Sequence, residues 1–267
     1  MNTIVRRQRV RRALLALSFA LFPLTIYYFS PVVVLAGASM GIITGSMLVF
    51  GGQFLSGLVV GRAWCGWLCP AGGLGELLMG AVDRPARGGR WNLIKWGIWL
   101  PWVTLIALLA IRAGGLPRLD PLYMTEGGLP LSDISGYIVY LAVVSLVAIL
   151  SLSAGRRAFC HYACWMAPFM ILGRRVGRWL GLSGLYLIAD PGACIDCMRC
   201  NDRCPMSLNV HAMVRHGSMA DDECILCGMC ADGCPRDVLS LRWGQRPRIA
   251  APILHDDIVA DTPQRGG

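Results

Sequence analysis

Two stretches near the C-terminal end carry the strongest chemistry in the chain. CIDCMRCNDRCP sets Cys194, Cys197, Cys200 and Cys204 ahead of Pro205, and CILCGMCADGCP sets Cys224, Cys227, Cys230 and Cys234 ahead of Pro235. Each cysteine of the first run has a counterpart 30 positions on (194 to 224, 204 to 234), so the pattern is an internal duplication. Three thiolates at two-residue intervals wrap a loop around one corner of an iron–sulfur cube. A fourth, followed by proline, leaves the loop and ligates the other cube. The spacing predicts two [4Fe-4S] clusters, one on Cys194, Cys197, Cys200 and Cys234, the other on Cys224, Cys227, Cys230 and Cys204. A pair of four-cysteine zinc sites is the competing reading, and the doubled C-x2-C-x2-C-x3-C-P run disfavours it.

Four further cysteines lie upstream in two pairs. AWCGWLCPAGG carries Cys65 and Cys69, and AFCHYACWMAP carries Cys160 and Cys164. The offset between the pairs is 95 at both positions (65 to 160, 69 to 164). On a continuing helix, residues i and i+4 share a face, so each pair would present two sulfurs together. The proline context differs, since Pro70 follows Cys69 at once and Pro168 stands four residues after Cys164. Three readings of these thiols stand side by side. They are ligands of one further metal or cluster, redox-active dithiols or partner contacts, or small buried residues without a redox part.

The elements that must position these thiols follow from composition. The chain has 267 residues, 55% hydrophobic and 15% charged, with a mean hydropathy of +0.53. Soluble domains carry about 25% charge, so the balance indicates a membrane protein with a modest soluble part. Apolar segments at about 13–29, 42–60, 93–111 and 134–152 each approach the ~20 residues that cross a bilayer as a helix. They predict an all-α membrane unit over 1–184, built as two related hairpins that each end in a thiol pair. Between the first two segments, SPVVVLAGASMG is apolar but broken by Pro31 and glycines, which suggests a re-entrant piece or a tight turn. Residues 185–243 are polar and cysteine-rich and read as a small α+β two-cluster ferredoxin-like domain. The tail, 244–267, has no periodicity and reads as irregular.

The net charge of +9 is carried almost wholly by arginines beside the apolar runs. That placement reads as topology rather than as a nucleic-acid surface. Arg6, Arg7, Arg9, Arg11, Arg12, Arg84, Arg87, Arg90, Lys95, Arg156, Arg157, Arg174, Arg175 and Arg178 fall on one side. Arg112 and Arg118, beside Asp120, Glu126 and Asp133, fall on the other. The bias puts both termini in the cytoplasm, with four crossings of a bacterial or archaeal cytoplasmic membrane and lipid around the helices. A reducing compartment also suits twelve cysteines grouped as ligands. A cleaved signal peptide ending at Ala38 competes, but it would leave three spans and break the charge pattern.

GRAWCGWLCPAGGLGE, FCHYACWMAPFMILGRR and the paired cluster motifs together resemble the membrane-bound ferredoxin-type family that includes NapH, NosR and MauN. The resemblance extends from about Ser30 to Trp243. It implies a four-helix membrane anchor carrying a cytoplasmic two-cluster domain. It also implies a role in passing electrons between a quinol pool, or a cytoplasmic donor, and redox partners that serve periplasmic enzymes.

No histidine falls inside the four apolar segments and no C-x2-C-H occurs, so no haem is expected. The glycines of AGGLGE follow no strand, so no nucleotide site is expected. Groups able to take protons from a quinol are Glu76 and His161 on one side and Asp120, Tyr123 and Glu126 on the other. Each is weighed against an ordinary solvated or hydrogen-bonded residue, and His211 and His216 read as surface residues. The sequence therefore reads as a polytopic iron–sulfur electron carrier with redox-protein partners and no residue assigned as catalytic. Quinol oxidation by the chain itself comes second. A metal-handling or maturation factor comes third, reducing a metal or disulfide at Cys65, Cys69, Cys160 and Cys164.

Overall fold

The basic N-terminal arm opens a helix, α1 (Thr3–Ala20), which bends by 62° into α2 (Phe22–Thr25) and a 3-10 turn (Ile26–Phe29). Pro23 stands at the start of α2. Proline lacks the N–H that a continuing helix would use there and its ring crowds the preceding turn, which favours a break at this point. The computed structural model describes residues 3–126 and 134–245. Asp133 and the tail from 246 onward lie outside them.

The stretch expected as a re-entrant piece or turn forms a short helix, α3 (Pro31–Ser39). Ser30 caps it, its Oγ accepting from the Val33 N–H at 3.4 Å, with Pro31 at the first helical position. Strand β1 (Ile42–Thr44) runs parallel to β2 (Arg118–Asp120), with Ile42 opposite Arg118. Helix α4 (Gly45–Val60) follows, capped by Thr44 and ended at Gly61, whose φ of 56° favours glycine.

Next come α5 (Ala63–Trp67), α6 (Pro70–Leu78), a 3-10 turn (Gly89–Leu93), α7 (Ile94–Arg112), α8 (Ile134–Ala154), α9 (Ala158–Tyr162) and α10 (Ala167–Trp179). Among the described residues two helical stretches have the length and composition to cross a membrane. They are Gly89–Arg112, with hydropathy 1.8, and Gly136–Ala154, with hydropathy 2.3, and 11% of each is buried within the protein. Of the four expected segments, the other two differ for local reasons. The first is bent at Leu21. The second, α4, has 16 residues, roughly 24 Å at 1.5 Å per residue, which is short of a ~30 Å hydrocarbon layer.

Helices α4 and α10 approach closely through glycine, since a Cβ on Gly57 would stand 2.9 Å from the Met170 carbonyl oxygen. Phe169 of α10 stacks on Phe50 of α4 at 5.4 Å and meets Trp99 of α7 edge-on at 5.2 Å.

The C-terminal unit is framed by β3 (Gly184–Ala189) and β4 (Leu239–Gly244), antiparallel, with Gly184 opposite Gly244 and Ala189 opposite Leu239. Between them lie α11 (Arg199–Asp202), α12 (Val210–Arg215) and α13 (Met229–Asp232). Its apolar residues Met206, Val210, Met213, Ile225 and Leu226 join Phe159, Met170 and Ile171 of the helical part in one continuous core.

Candidate iron–sulfur and thiol centres

The two cysteine runs fold alike. Asp196 and Leu226, then Met198 and Gly228, each 30 positions apart, all have positive φ, between 49° and 74°. These left-handed residues curl each loop, and the third cysteine of each run then lies in a single helical turn, Cys200 in α11 and Cys230 in α13. One small cavity is lined by Cys204, Cys224, Cys227 and Cys230. Another is lined by Cys194, Cys197, Cys200 and Cys234. The proline-flanked fourth cysteine of each run thus faces the cavity of the other run. The two cavities differ in exposure, since Cys204, Cys224, Cys227 and Cys230 are buried whereas Cys197 is exposed and Cys194, Cys200 and Cys234 are half-buried. Burial pushes the Cys200 thiol up to about 11 and raises Cys204 and Cys230 as well. Metal coordination deprotonates a thiol outright, so these sites suit ligation better than free thiolate chemistry. His211 Nε2 lies 2.7 Å from Asp196 Oδ1, beside Cys194, whereas His216 is exposed.

The upstream pairs do not sit on continuing helices. Each begins in a five-residue helix that stops before the second cysteine, and a new helix starts just beyond, at Pro70 in one half and Ala167 in the other. The interruption repeats bond for bond. Cys65 N–H donates to the Arg62 carbonyl at 3.0 Å and Cys69 N–H to that of Trp64 at 3.0 Å. In the second half Cys160 N–H donates to Arg157 at 2.8 Å and Cys164 N–H to Phe159 at 3.0 Å. All four thiols are buried, and they converge. The Cys69 thiol is raised first by burial and then by Cys65, Cys160 and Cys164. Burial, then Cys160 and Cys65, lift Cys164 to about 12.

Around these thiols lies a set of buried charges. The repeat extends upstream to an arginine, RAWC and RAFC, placing Arg62 and Arg157 at equivalent positions 95 apart. Arg62 Nη1 donates to Glu223 Oε2 at 2.6 Å, and Lys95 Nζ lies 2.5 Å from Glu223 Oε1. Burial alone would raise Glu223, but Arg62 and Lys95 outweigh it and hold the carboxyl at about 2. Arg157 donates to the Cys65 carbonyl at 2.8 Å and to Glu76 Oε2 at 3.3 Å, and Arg11 binds Glu76 through both terminal nitrogens at 2.8 and 2.5 Å.

Glu76 is thus an ion-pair centre, and His161 is fully buried with Nδ1 2.8 Å from Asn92 Oδ1. Burial first, with Lys95 and Arg62 opposing Glu223, depresses His161 to about 4. Asp120 accepts from Leu122 N–H in the exposed turn after β2, with Tyr123 and Glu126 nearby in sequence. Arg11, Lys95, Arg157 and Arg174, which the sequence reading counted among the charges that set topology, are buried. Glu223 was not singled out at all. Its signal was an acid directly preceding a cluster cysteine, in DDEC.

The second loop rests directly on the first thiol pair. A Cβ at Gly66 would overlap the Ile225 carbonyl oxygen and stand 3.5 Å from Cys227 Cβ, so the position must be glycine. Trp67 Nε1 donates to the Leu226 carbonyl at 3.2 Å, Arg174 to that of Cys224 at 3.3 Å and Gln8 to that of Cys227 at 2.9 Å. Arg7 of α1 pairs with Asp232 of α13. The loop that ends in Cys227 is clamped from α1, α5 and α10, while the Cys194–Cys200 loop faces outward.

Comparison with known proteins agrees with this chemistry. A family model described as a 4Fe-4S binding domain matches residues 38–92 and again 136–183, one match over each upstream thiol pair. A second, described as a 4Fe-4S dicluster domain, matches 186–235. Protein RdxA of Cereibacter sphaeroides is 29% identical, over 83% of this chain and 51% of its own length. The putative electron transport protein YccM of Escherichia coli is 26% identical, over 71% of this chain and 53% of its own. The nitrogen fixation protein FixG of Rhizobium meliloti is 25% identical, over 80% and 45%. The chain spans about half the length of these three relatives. No solved structure matches it. The chain carries 4Fe-4S ferredoxin-type domains, its relatives include a protein named for electron transport, and its long apolar helices fit association with a membrane.

Proposed function

We propose that the chain is a membrane-anchored relay of the NapH, NosR and MauN type, passing electrons between a quinol pool or cytoplasmic donor and a redox-protein partner. In this reading residues 1–184 form the anchor, with four crossings that include the bent α1–α2 pair and the short α4. Residues 185–243 form the cytoplasmic two-cluster domain, and both termini face the cytoplasm. Cys194, Cys197, Cys200 and Cys234 hold one [4Fe-4S] cluster, and Cys224, Cys227, Cys230 and Cys204 hold the other. Such clusters supply one-electron transfer over a wide range of potentials. The observation that carries the reading is the sorting of these eight cysteines into two cavities, three from one run and one from the other in each. The exposed set then meets a partner, and the buried set faces the membrane unit.

The quinol arm is supported by an apolar cavity of about 240 Å³ between Phe22–Val32 and α8. Its inner wall is made by Pro70, Phe159, Trp165 and Met166, each next to or near one of the upstream cysteines in sequence. Cys65, Cys69, Cys160 and Cys164 are in turn the ligand set for a further metal or cluster. The same four thiols would serve a metal-handling or maturation factor, the second reading.

The test is anaerobic purification of the full chain in detergent, followed by EPR after addition of a quinol and then of dithionite. Two [4Fe-4S] signals, with at least one reduced by quinol, are expected. Dithionite-reducible clusters that stay oxidised with quinol would restrict the donor to a cytoplasmic carrier. Absence of the two clusters would overturn the relay.

A further inference from the structure

The four upstream thiols lie in one packed core, yet no three of them come within the distance that a single ion needs. Among the described residues only Cys194, Asp196 and His211 bring three ligand atoms within 4.8 Å of one another. A tetrahedral ion holding sulfur at ~2.3 Å needs its sulfurs about 3.8 Å apart. A cube separates its ligands by further iron and sulfide atoms and needs a wider shell. The eight cysteines of the two ferredoxin-type runs, whose spacing suits cubes, likewise form no trio at the single-ion distance.

Charge points the same way. Arg11 and Arg157 share Glu76, and Arg62 and Lys95 share Glu223, so four buried cations rest on two carboxylates. Among the described residues Arg62 Nε and Nη2 and Arg157 Nε have no hydrogen-bond partner. Buried cations with spare donors call for an anion beside them, and a cluster ligated by four thiolates is one. Arg62 and Arg157 are equivalent in the repeat, so each half contributes two thiols and one cation to the same place.

We propose that Cys65, Cys69, Cys160 and Cys164 form the thiolate shell of a third iron–sulfur cluster, with Arg62 and Arg157 as its paired countercharges and Gly66 as its contact with the second ferredoxin-type loop. The proposal rests on the relay reading and narrows what its upstream thiols hold. The exchange at Gly66 balances as one electron: the cluster of the Cys224–Cys230 loop is oxidised by one as the membrane centre is reduced by one. No protein bond is made or broken. Glu223 and Glu76 are positioning residues, fixing the two guanidinium groups by ion pairs.

Iron and acid-labile sulfide are measured on the full chain purified anaerobically, together with EPR during a redox titration. About 12 irons per chain are expected, ~4 for each of three cubes. Cys65→Ala and Cys160→Ala should each lose about a third of the iron, and the double variant no more than either alone, with both ferredoxin-type signals intact. Arg62→Gln and Arg157→Gln should keep the iron and shift the additional midpoint to lower potential, while Arg62→Lys stays near wild type. Gly66→Ala should keep the iron and slow reduction of the additional centre. About 8 irons, unchanged in Cys65→Ala, would overturn the third cluster and leave the two-cluster relay standing. Absence of the ferredoxin-type signals from the wild type would overturn the relay instead. Zinc or copper lost in place of iron would overturn the cluster assignment. A fall in midpoint shared by Arg62→Lys would overturn the countercharge role, and unchanged kinetics in Gly66→Ala the contact.

Discussion

Lys95 Nζ lies 2.5 and 2.6 Å from the two carboxylate oxygens of Glu223, a residue 128 positions later and immediately before Cys224. The pair is fully enclosed and shared with Arg62, so it pins the second cysteine loop to the start of α7. Glu223→Gln leaves two buried cations opposite a neutral amide. Removing one partner of a buried pair costs about 3–5 kcal/mol. The thermal midpoint should therefore fall, and the 222–227 loop should become open to proteolysis while the Cys194–Cys200 loop keeps its cluster signal. An unchanged midpoint would show that backbone contacts alone hold the loop.

Cys204 belongs by sequence to the first run but lines the cavity of Cys224, Cys227 and Cys230. Cys204→Ser should perturb the EPR signal of the buried cluster and leave the exposed one unchanged. Loss confined to the cluster of Cys194, Cys197 and Cys200 would contradict crossed ligation.

Burial alone would raise the Glu76 carboxyl, but Arg157 and Arg11 outweigh it and hold it below the ordinary value of 4.5. A carboxyl depressed by folding contributes stability that is fully present above its unfolded value and is lost as pH falls through its folded one. The gap in thermal midpoint between wild type and Glu76→Gln should thus be widest near neutrality and narrow as pH drops below 4.5. A gap independent of pH would mean that the side chain acts by packing, not by charge.

Orientation has its own check. A reporter enzyme fused after Gly184 should be active on the cytoplasmic side of the membrane. Periplasmic activity at that junction would sink the four-crossing arrangement and revive a cleaved leader.

The sequence made some of this legible and hid the rest for physical reasons. The two cysteine runs are local patterns, so the eight cysteines and their pairing by spacing were legible at once. The thiol repeat was legible too, but its helices were not. Pro70 and Pro168 favour new first turns, so the expected i, i+4 face gave way to an interrupted helix in both halves. Pro23 similarly explains the bend in the first apolar segment. The charges were read as signals of topology, and the burial of several of them was not legible. Whether Lys95 or Arg62 is buried depends on Glu223, more than 120 positions away, and no local pattern reports a partner at that distance. The arginine shared by RAWC and RAFC was visible as a repeat, yet beside so many flanking arginines it did not stand out.

The bond from Arg7 to Asp232 joins residues 225 positions apart. During synthesis at 5–20 residues per second, roughly 10–45 s pass between the emergence of the first and that of the second. Through that interval the Arg7–Gln8–Arg11 arm has no partner from the C-terminal unit. Arg11 can meet Glu76 once α6 is made, but the Arg7 cation stays free to be read by whatever inserts the apolar helices until Asp232 pairs with it. The seating of α13 on α1 is then a late step of assembly, so a chain truncated before Asp232 would carry its arm without that latch.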